Sequence, residues 1–238
     1  MPENPLLPNK RLKELLELMQ RSRALDRRLR PAPKHPREAL LAGTAIHLVP
    51  GDILNSSAAD ATALALAPAP LVNPQAANAI IVPDKDAPLP RLSRLTLAAA
   101  MAHGLQVSGT GGIVLTLVNA GTAEPGWQDA LIYAQRARLP LLIAVADATN
   151  GRPAKSPHVL TLTAVQQAAK KIKLPVLPVD GDDAVGVYRV MQECALRARL
   201  SEGPAVIWGV HTSANKPPAR ATQPIARMQR YLAARGLL

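Results

Sequence analysis

From residue 79 onward, short apolar runs alternate with amphipathic stretches. Ala79 to Val82, Ile113 to Val118, Leu141 to Ala146, Val176 to Val179 and Ala205 to Val210 read as strands. Leu92 to Val107, Trp127 to Arg138, Leu162 to Lys173 and Ala184 to Leu200 carry the spacing of helices between them. A last helix is expected over about Ile225 to Ala234. Strands without an alternating polar face are buried on both sides, so the pattern predicts an α/β fold. Its architecture is a doubly wound, mostly parallel sheet with helices on both faces, joined by right-handed crossovers. No tandem repeat is visible.

The first part of the chain is organised differently. Pro8-Asn9 precedes a helix with Leu12, Leu15, Leu16, Met19, Leu25 and Leu29 on one face and Lys13, Glu17, Arg21 and Arg28 on the other. Asn9 is its expected N-cap, and Pro31, Pro33 and Pro36 break it. A shorter helix is expected from Arg37 to about His47, followed by a turn at Pro50-Gly51-Asp52. Residues 54 to 78 are rich in Ala, Pro, Ser and Asn and read as a loop with at most one short helix. The expected organisation is an N-terminal helical arm, residues 1–36, and a single α/β domain, residues 37–238.

Composition narrows the partners. Aromatic residues are 2% of the chain and phenylalanine is absent, which argues against a single-strand nucleic-acid surface built on base stacking. The formal charge of +11 is concentrated between Lys10 and Arg37 and in a tail with no acid after Glu202. Such a surface attracts phosphates or acidic proteins, and it is equally the solvated face of a helix plus a basic tail. The single cysteine, Cys194, excludes an internal disulfide framework and a multi-cysteine zinc site, and its place in an amphipathic helix reads as a buried thiol. Met1 to Asn9 has no secretory pattern, and no run approaches the ~20 apolar residues of a membrane span. A cytoplasmic protein is expected.

In sheets of this kind ligands sit beyond the carboxyl ends of the strands, which directs attention to four loops. Ser108 to Gly112 is glycine-rich but precedes a strand, so it reads as a turn and not a phosphate loop. Asn119 to Gly126 does lie between a strand and a helix, and serves either as a phosphate cradle or as a plain βα turn. Asp147, with Thr149 and Asn150 after it, faces the same crevice as a thin oxygen ligand for a cation, or as a turn aspartate. In Asp180-Gly181-Asp182-Asp183 the acids read as caps of the next helix before they read as metal ligands. His158 and His211 flank the crevice as proton-transfer groups or as ordinary hydrogen-bonded histidines.

Taken in order, these segments resemble the alpha subunit of the thiamine diphosphate-dependent 2-oxoacid dehydrogenases, the decarboxylating component of pyruvate and branched-chain complexes. The resemblance runs, with gaps, over about residues 8 to 236. Its most specific part is Val179-Asp180-Gly181-Asp182-Asp183 through Val187-Tyr188, then Ala198-Arg199 and Glu202-Gly203-Pro204-Ala205-Val206-Ile207. Arg37-Glu38-Ala39 with Pro50-Gly51-Asp52, then Gly126, Asp129, Ala130, Leu131 and Leu139-Pro140, and finally Pro224-Ile225 with Tyr231-Leu232, follow in the family's order.

The resemblance implies a thiamine diphosphate-binding fold and assembly as a homo-oligomer or with a beta-subunit-like chain. It also implies that the cofactor apparatus is eroded. Where the family has Gly-Asp-Gly, whose aspartate holds magnesium, this chain has Asn119-Ala120-Gly121, and the closing Asn-Asn is matched by Asp147-Ala148. The family's Tyr-Arg aligns near Ser57-Ala58, and its Ser-Met-His segment and long serine- and histidine-bearing loop have no full counterpart. A diphosphate buried without cation or positive partners costs several kcal/mol or more. The expectation is a non-catalytic or function-shifted homologue without cofactor or metal, acting as a structural or regulatory partner. Asn119, Gly121, Asp147 and Asn150 are then a vestigial cofactor site. Two rivals stand beside it. One is an active dehydrogenase holding thiamine diphosphate and magnesium through substitutes such as Asp147, Asn119 and Arg152; the other is a basic binding module.

Overall fold

The computed structural model describes residues 7–26, 36–57, 79–82, 93–149, 156–211 and 223–238. Helices α1 (Asn9–Asp26) and α2 (Glu38–Ala45) lead to strand β1 (Ile53–Ser57), with β2 (Ala79–Val82) and α3 (Arg94–Ser108) following. Next come β3 (Val114–Asn119), α4 (Trp127–Arg136), β4 (Leu141–Asp147) and α5 (Leu162–Ile172). The described chain ends with β5 (Val176–Asp180), α6 (Ala184–Arg199), β6 (Ala205–Val210) and α7 (Pro224–Ala233).

The six strands form one parallel sheet in the order β2-β1-β3-β4-β6-β5. Side chains alternate across the sheet as a period of two requires. Leu141, Ile143 and Val145 of β4 join Val114, Val118 and Trp208 under α3, α4 and α5. Leu142 and Ala144 point the other way and pack with Leu115, Leu117 and Ile207 under α2 and α6. Outside α2 and α6 lies a further helical layer, in which Leu12, Leu15 and Met19 of α1 meet Ile225, Met228 and Leu232 of α7. The doubly wound α/β architecture is therefore present, with helices on both faces.

The expected elements are observed with boundary shifts of a residue or two, the ordinary scatter of helix ends. α1 starts slightly early: Asn9 is its first residue, and the Pro8 carbonyl accepts from Leu12 N at 3.1 Å. Its expected continuation to Leu29 lies outside the described residues.

One element was not expected. β1 falls in the stretch read as a loop, and it is an interior strand between β2 and β3. Its sequence, ILNSS, hides the strand because the middle residue is polar. Asn55 is fully buried, and its Nδ2 donates to the Arg94 carbonyl at 3.0 Å and to Thr116 Oγ1 at 3.2 Å. The tertiary structure supplies acceptors that a hydrophobic pattern cannot register.

The turn before β1 is held from several sides. Asp52, 1% exposed, accepts from Val49 N and Ile113 N, and takes both terminal nitrogens of Arg199 at 2.8 and 2.6 Å. Gly112 passes so close to this turn that a Cβ there would collide with the Gly51 carbonyl. The glycine-rich Ser108–Gly112 segment is thus a close-packed turn into β3.

Candidate functional site

The carboxyl ends of β3, β4, β6 and β5 bring Asn119, Asp147, His211 and Asp180 to one edge of the sheet. The ladder continues one residue past the strands, with Ala120 N donating to Ala146 O at 2.9 Å, His211 N to Asp147 O at 2.8 Å and Gly181 N to Val210 O at 2.9 Å. These bonds fix the first residue of each loop relative to its neighbours.

Asp147 is buried, and both its carboxylate oxygens are engaged. Oδ2 accepts from the Trp208 indole at 2.8 Å, while Oδ1 accepts from Thr149 N at 2.8 Å and Thr149 Oγ1 at 2.6 Å. It is the turn aspartate of the two sequence readings, with an added task of satisfying a core tryptophan. A cation at this carboxylate would compete with the Trp208 N–H, whose burial without an acceptor costs about 1–3 kcal/mol.

The loop after β3 turns its amides toward the protein. Gly121 N donates to Leu160 O and Glu124 N to His158 O, both at 2.8 Å, and Leu160 N returns a bond to Thr122 O at 3.1 Å. Residues 158–160 therefore lie antiparallel along the loop, with Ala123 bridged to Val159. The Glu124 carboxylate accepts from Arg94 N at 2.9 Å, and Trp127 Nε1 donates to Pro157 O at 3.1 Å. Of the two readings of Asn119 to Gly126, this arrangement is the βα turn.

Gly121 takes φ +79° and approaches the second loop so closely that a Cβ would lie 3.0 Å from Thr149 Cγ2. Asn119 is exposed at the end of β3, and its carbonyl accepts from Thr122 Oγ1 at 2.6 Å. Asn119, Gly121 and Asp147 are thus neighbours on one edge, as expected; Asn150 and Arg152 lie outside the described residues. The hollow bordered by Asn119, Arg37, Leu40, Leu117 and Ala146 holds about 10 Å³, room for about one water.

The three acids after β5 have separate roles. Asp183 caps α6 by accepting from Val185 N and Gly186 N at 3.1 and 3.2 Å. Asp180 and Asp183 also bind Arg227 of α7, at 2.5 and 2.9 Å, an ion pair that sequence spacing did not reveal. Asp182 instead meets His211 Nδ1 at 2.8 Å, and the histidine is 2% exposed. A Cβ on Gly181 would come within 2.8 Å of the His211 ring, so glycine is needed for this pair to form. His211 is the buried hydrogen-bonded histidine of the two readings; His158 stays exposed. Among the described residues no group of three or more His, Cys, Asp or Glu side chains is placed to hold a metal ion.

Two other groups are tuned by burial. His47 Nε2 donates to the Tyr188 carbonyl at 3.0 Å, and burial lowers its pKa to about 4, so the ring is neutral at pH 7. Burial raises the Cys194 thiol to about 11, which makes it a poor nucleophile, as its helical position suggested.

Known proteins place this architecture. The chain is 28% identical over 159 residues to the pyruvate dehydrogenase E1 component subunit alpha of Staphylococcus epidermidis, covering 58% of this chain and 42% of that one. The corresponding subunit of Staphylococcus aureus is 27% identical over 161 residues, covering 59% and 43%. Over this stretch the chain is similar in sequence to E1 alpha subunits. It spans less than half the length of these curated relatives. A putative thiamin diphosphate-dependent enzyme from Mycobacterium smegmatis shares the fold at a TM-score of 0.50 and 14% identity, over 76% of this chain and 32% of that one. No family model matches the chain. The chain thus has the α/β fold known as the thiamine diphosphate-binding fold. Among its described residues no helix is long and apolar enough to cross a membrane.

Proposed function

We propose that this E1-alpha-like chain is a function-shifted, non-catalytic homologue that serves as a structural or regulatory subunit without thiamine diphosphate or magnesium. The carrying observation is the state of Asp147, whose carboxylate is spent on Trp208 and Thr149. Ala120, in the position that the resemblance gives to the magnesium-binding aspartate, has no oxygen to offer. The amides of Gly121 and Glu124 are bonded to carbonyls of residues 158–160 and do not face a ligand. In this reading the residues present do not fit a magnesium diphosphate, which needs oxygen ligands and free donors. Asn119, Gly121, Asp147 and Asn150 are the remnant of that site.

The same reading pairs the chain with a copy of itself or with a beta-subunit-like chain in the cytoplasm. The relatives' printed description as one subunit of a component supports a partnered role. The division into an arm, residues 1–36, and a domain, residues 37–238, belongs to this proposal.

Calorimetric titration with thiamine diphosphate and magnesium, of the chain alone and with any beta-like chain encoded beside it, tests the reading. No heat of binding in either setting is expected. Micromolar or tighter binding overturns it and favours an active subunit with substitute ligands.

A further inference from the structure

A hollow of about 300 Å³ lies between the start of α6 and helix α7, and none of Asn119, Gly121 or Asp147 borders it. The hollows beside Asn119 and Cys194 hold about 10 and 30 Å³. Those are packing slack. A hollow of about 300 Å³ has the volume of roughly ten waters, which is the size of a small ligand.

One wall is built of charges that satisfy one another. Arg227 donates to Asp180 and Asp183, and Asp183 also accepts from Val185 N and Gly186 N. Asp182 is paired with His211. Glycine inside a helix is unfavourable relative to alanine, but a Cβ on Gly186 would crowd the Asp183 carboxylate at 3.3 Å. The hollow is thus framed by a fixed clasp between α6 and α7 and is not a gap between loosely packed helices.

The groups left unspent are donors. Among the described residues the Arg189 guanidinium, exposed on α6, forms no hydrogen bond or ion pair, and the Tyr231 hydroxyl forms no hydrogen bond. Arg235 lies over the Tyr231 ring, 4.8 Å from its centroid, and brings a further positive charge to that side. Ala184, Val185, Pro224 and Met228 make the remaining lining apolar.

We propose that this hollow binds a small monocarboxylate with a short apolar tail, the carboxylate on Arg189 and the tail against Val185, Pro224 and Met228. A guanidinium matches a carboxylate with two parallel hydrogen bonds. The neighbouring acids set the ligand's charge. Asp180, Asp182 and Asp183 gather at one corner, so a dianion such as phosphate meets a repulsion that a monoanion largely escapes. An amine would find each of these carboxylates already holding a donor. The site gives the chain a small-molecule input and does not depend on whether thiamine diphosphate binds.

Methyl NMR of the methionines reads occupancy at Met228, assigned through Met228→Leu. Hexanoate is expected to move the Met228 signal saturably, with half-saturation at about 1 mM or below. Met101, on the other face of the sheet, is expected to stay unchanged. Hexan-1-ol and hexylamine, of the same length, are expected to bind at least about tenfold more weakly. Arg189→Gln is expected to weaken hexanoate at least about tenfold and leave hexan-1-ol unaffected. Arg136→Gln, exposed on α4 across the sheet, is expected to change nothing. A Met228 signal that does not move, or never saturates, overturns the proposal. So does an alcohol or amine that binds as tightly as hexanoate, an Arg189→Gln variant that keeps its affinity, or an equal loss in Arg136→Gln.

Discussion

The Trp208 indole of β6 donates to the Asp147 carboxylate at the end of β4, 2.8 Å away and wholly within the core. This bond joins the two strands at the edge where a cofactor would be sought, and it turns a candidate ligand into a structural acceptor. Asp147→Ala should therefore destabilise the fold by about 1–3 kcal/mol, since the indole N–H is left without an acceptor. Trp208→Phe in the same background should recover part of the loss by removing the stranded donor. Urea unfolding of the two single variants and the double variant measures the coupling.

A restored aspartate should not restore the site. Ala120→Asp is expected to give no thiamine diphosphate binding in the presence of magnesium, because the loop amides remain bonded to residues 158–160 and Asp147 remains engaged. Calorimetry is the check. Micromolar affinity in this variant would mean that the loop opens more easily than its hydrogen bonds imply.

The Asp52–Arg199 pair, its carboxylate buried and its guanidinium partly exposed, ties the turn before β1 to the end of α6. Asp52→Ala strands Val49 N and Ile113 N, while the partly exposed guanidinium keeps the His47 carbonyl, so a loss of about 1–3 kcal/mol is expected in denaturant titration. Gly112→Ala, which drives a methyl into the Gly51 carbonyl, should cost about 1–3 kcal/mol by the same measurement.

His47 gives the fold an acid limit. Its pKa falls from 6.5 in the open chain to about 4 when folded, so between these values the unfolded state binds more protons. Stability from this group is complete above about pH 6.5 and is lost as pH falls toward 4, by an amount on the order of 3 kcal/mol. Glu38, whose carboxyl is raised by burial despite Arg23, acts in the opposite sense, losing stability as pH rises past its ordinary value. Comparing unfolding of wild type and His47→Gln from pH 7 to pH 4 isolates the histidine: the variant should show the shallower slope.

Cys194 should resist alkylation by iodoacetamide near neutral pH in the folded protein and react on unfolding, since burial both covers the thiol and raises its pKa to about 11. Mass spectrometry with and without urea distinguishes the two states.

Periodicity alone determined most of the architecture. Strands β3, β4 and β6 are apolar on both faces because helices cover both sides, and that condition is written directly in their residues. Capping of α6 by an acid of the Asp182-Asp183 pair was equally legible, because it is local. β1 was not, since Asn55 is buried by virtue of acceptors on Arg94 and Thr116, distant in sequence. The same holds at the carboxyl edge of the sheet. Sequence could place Asn119, Gly121 and Asp147 at strand ends and mark the alanine between the first two. It left open what each did. Only the tertiary structure decided that Asp147 answers Trp208, that Asp182 answers His211, and that the amides after β3 face residues 158–160. Local signals record what a residue does to its own helix or strand; a polar side chain's partner depends on which strands lie side by side.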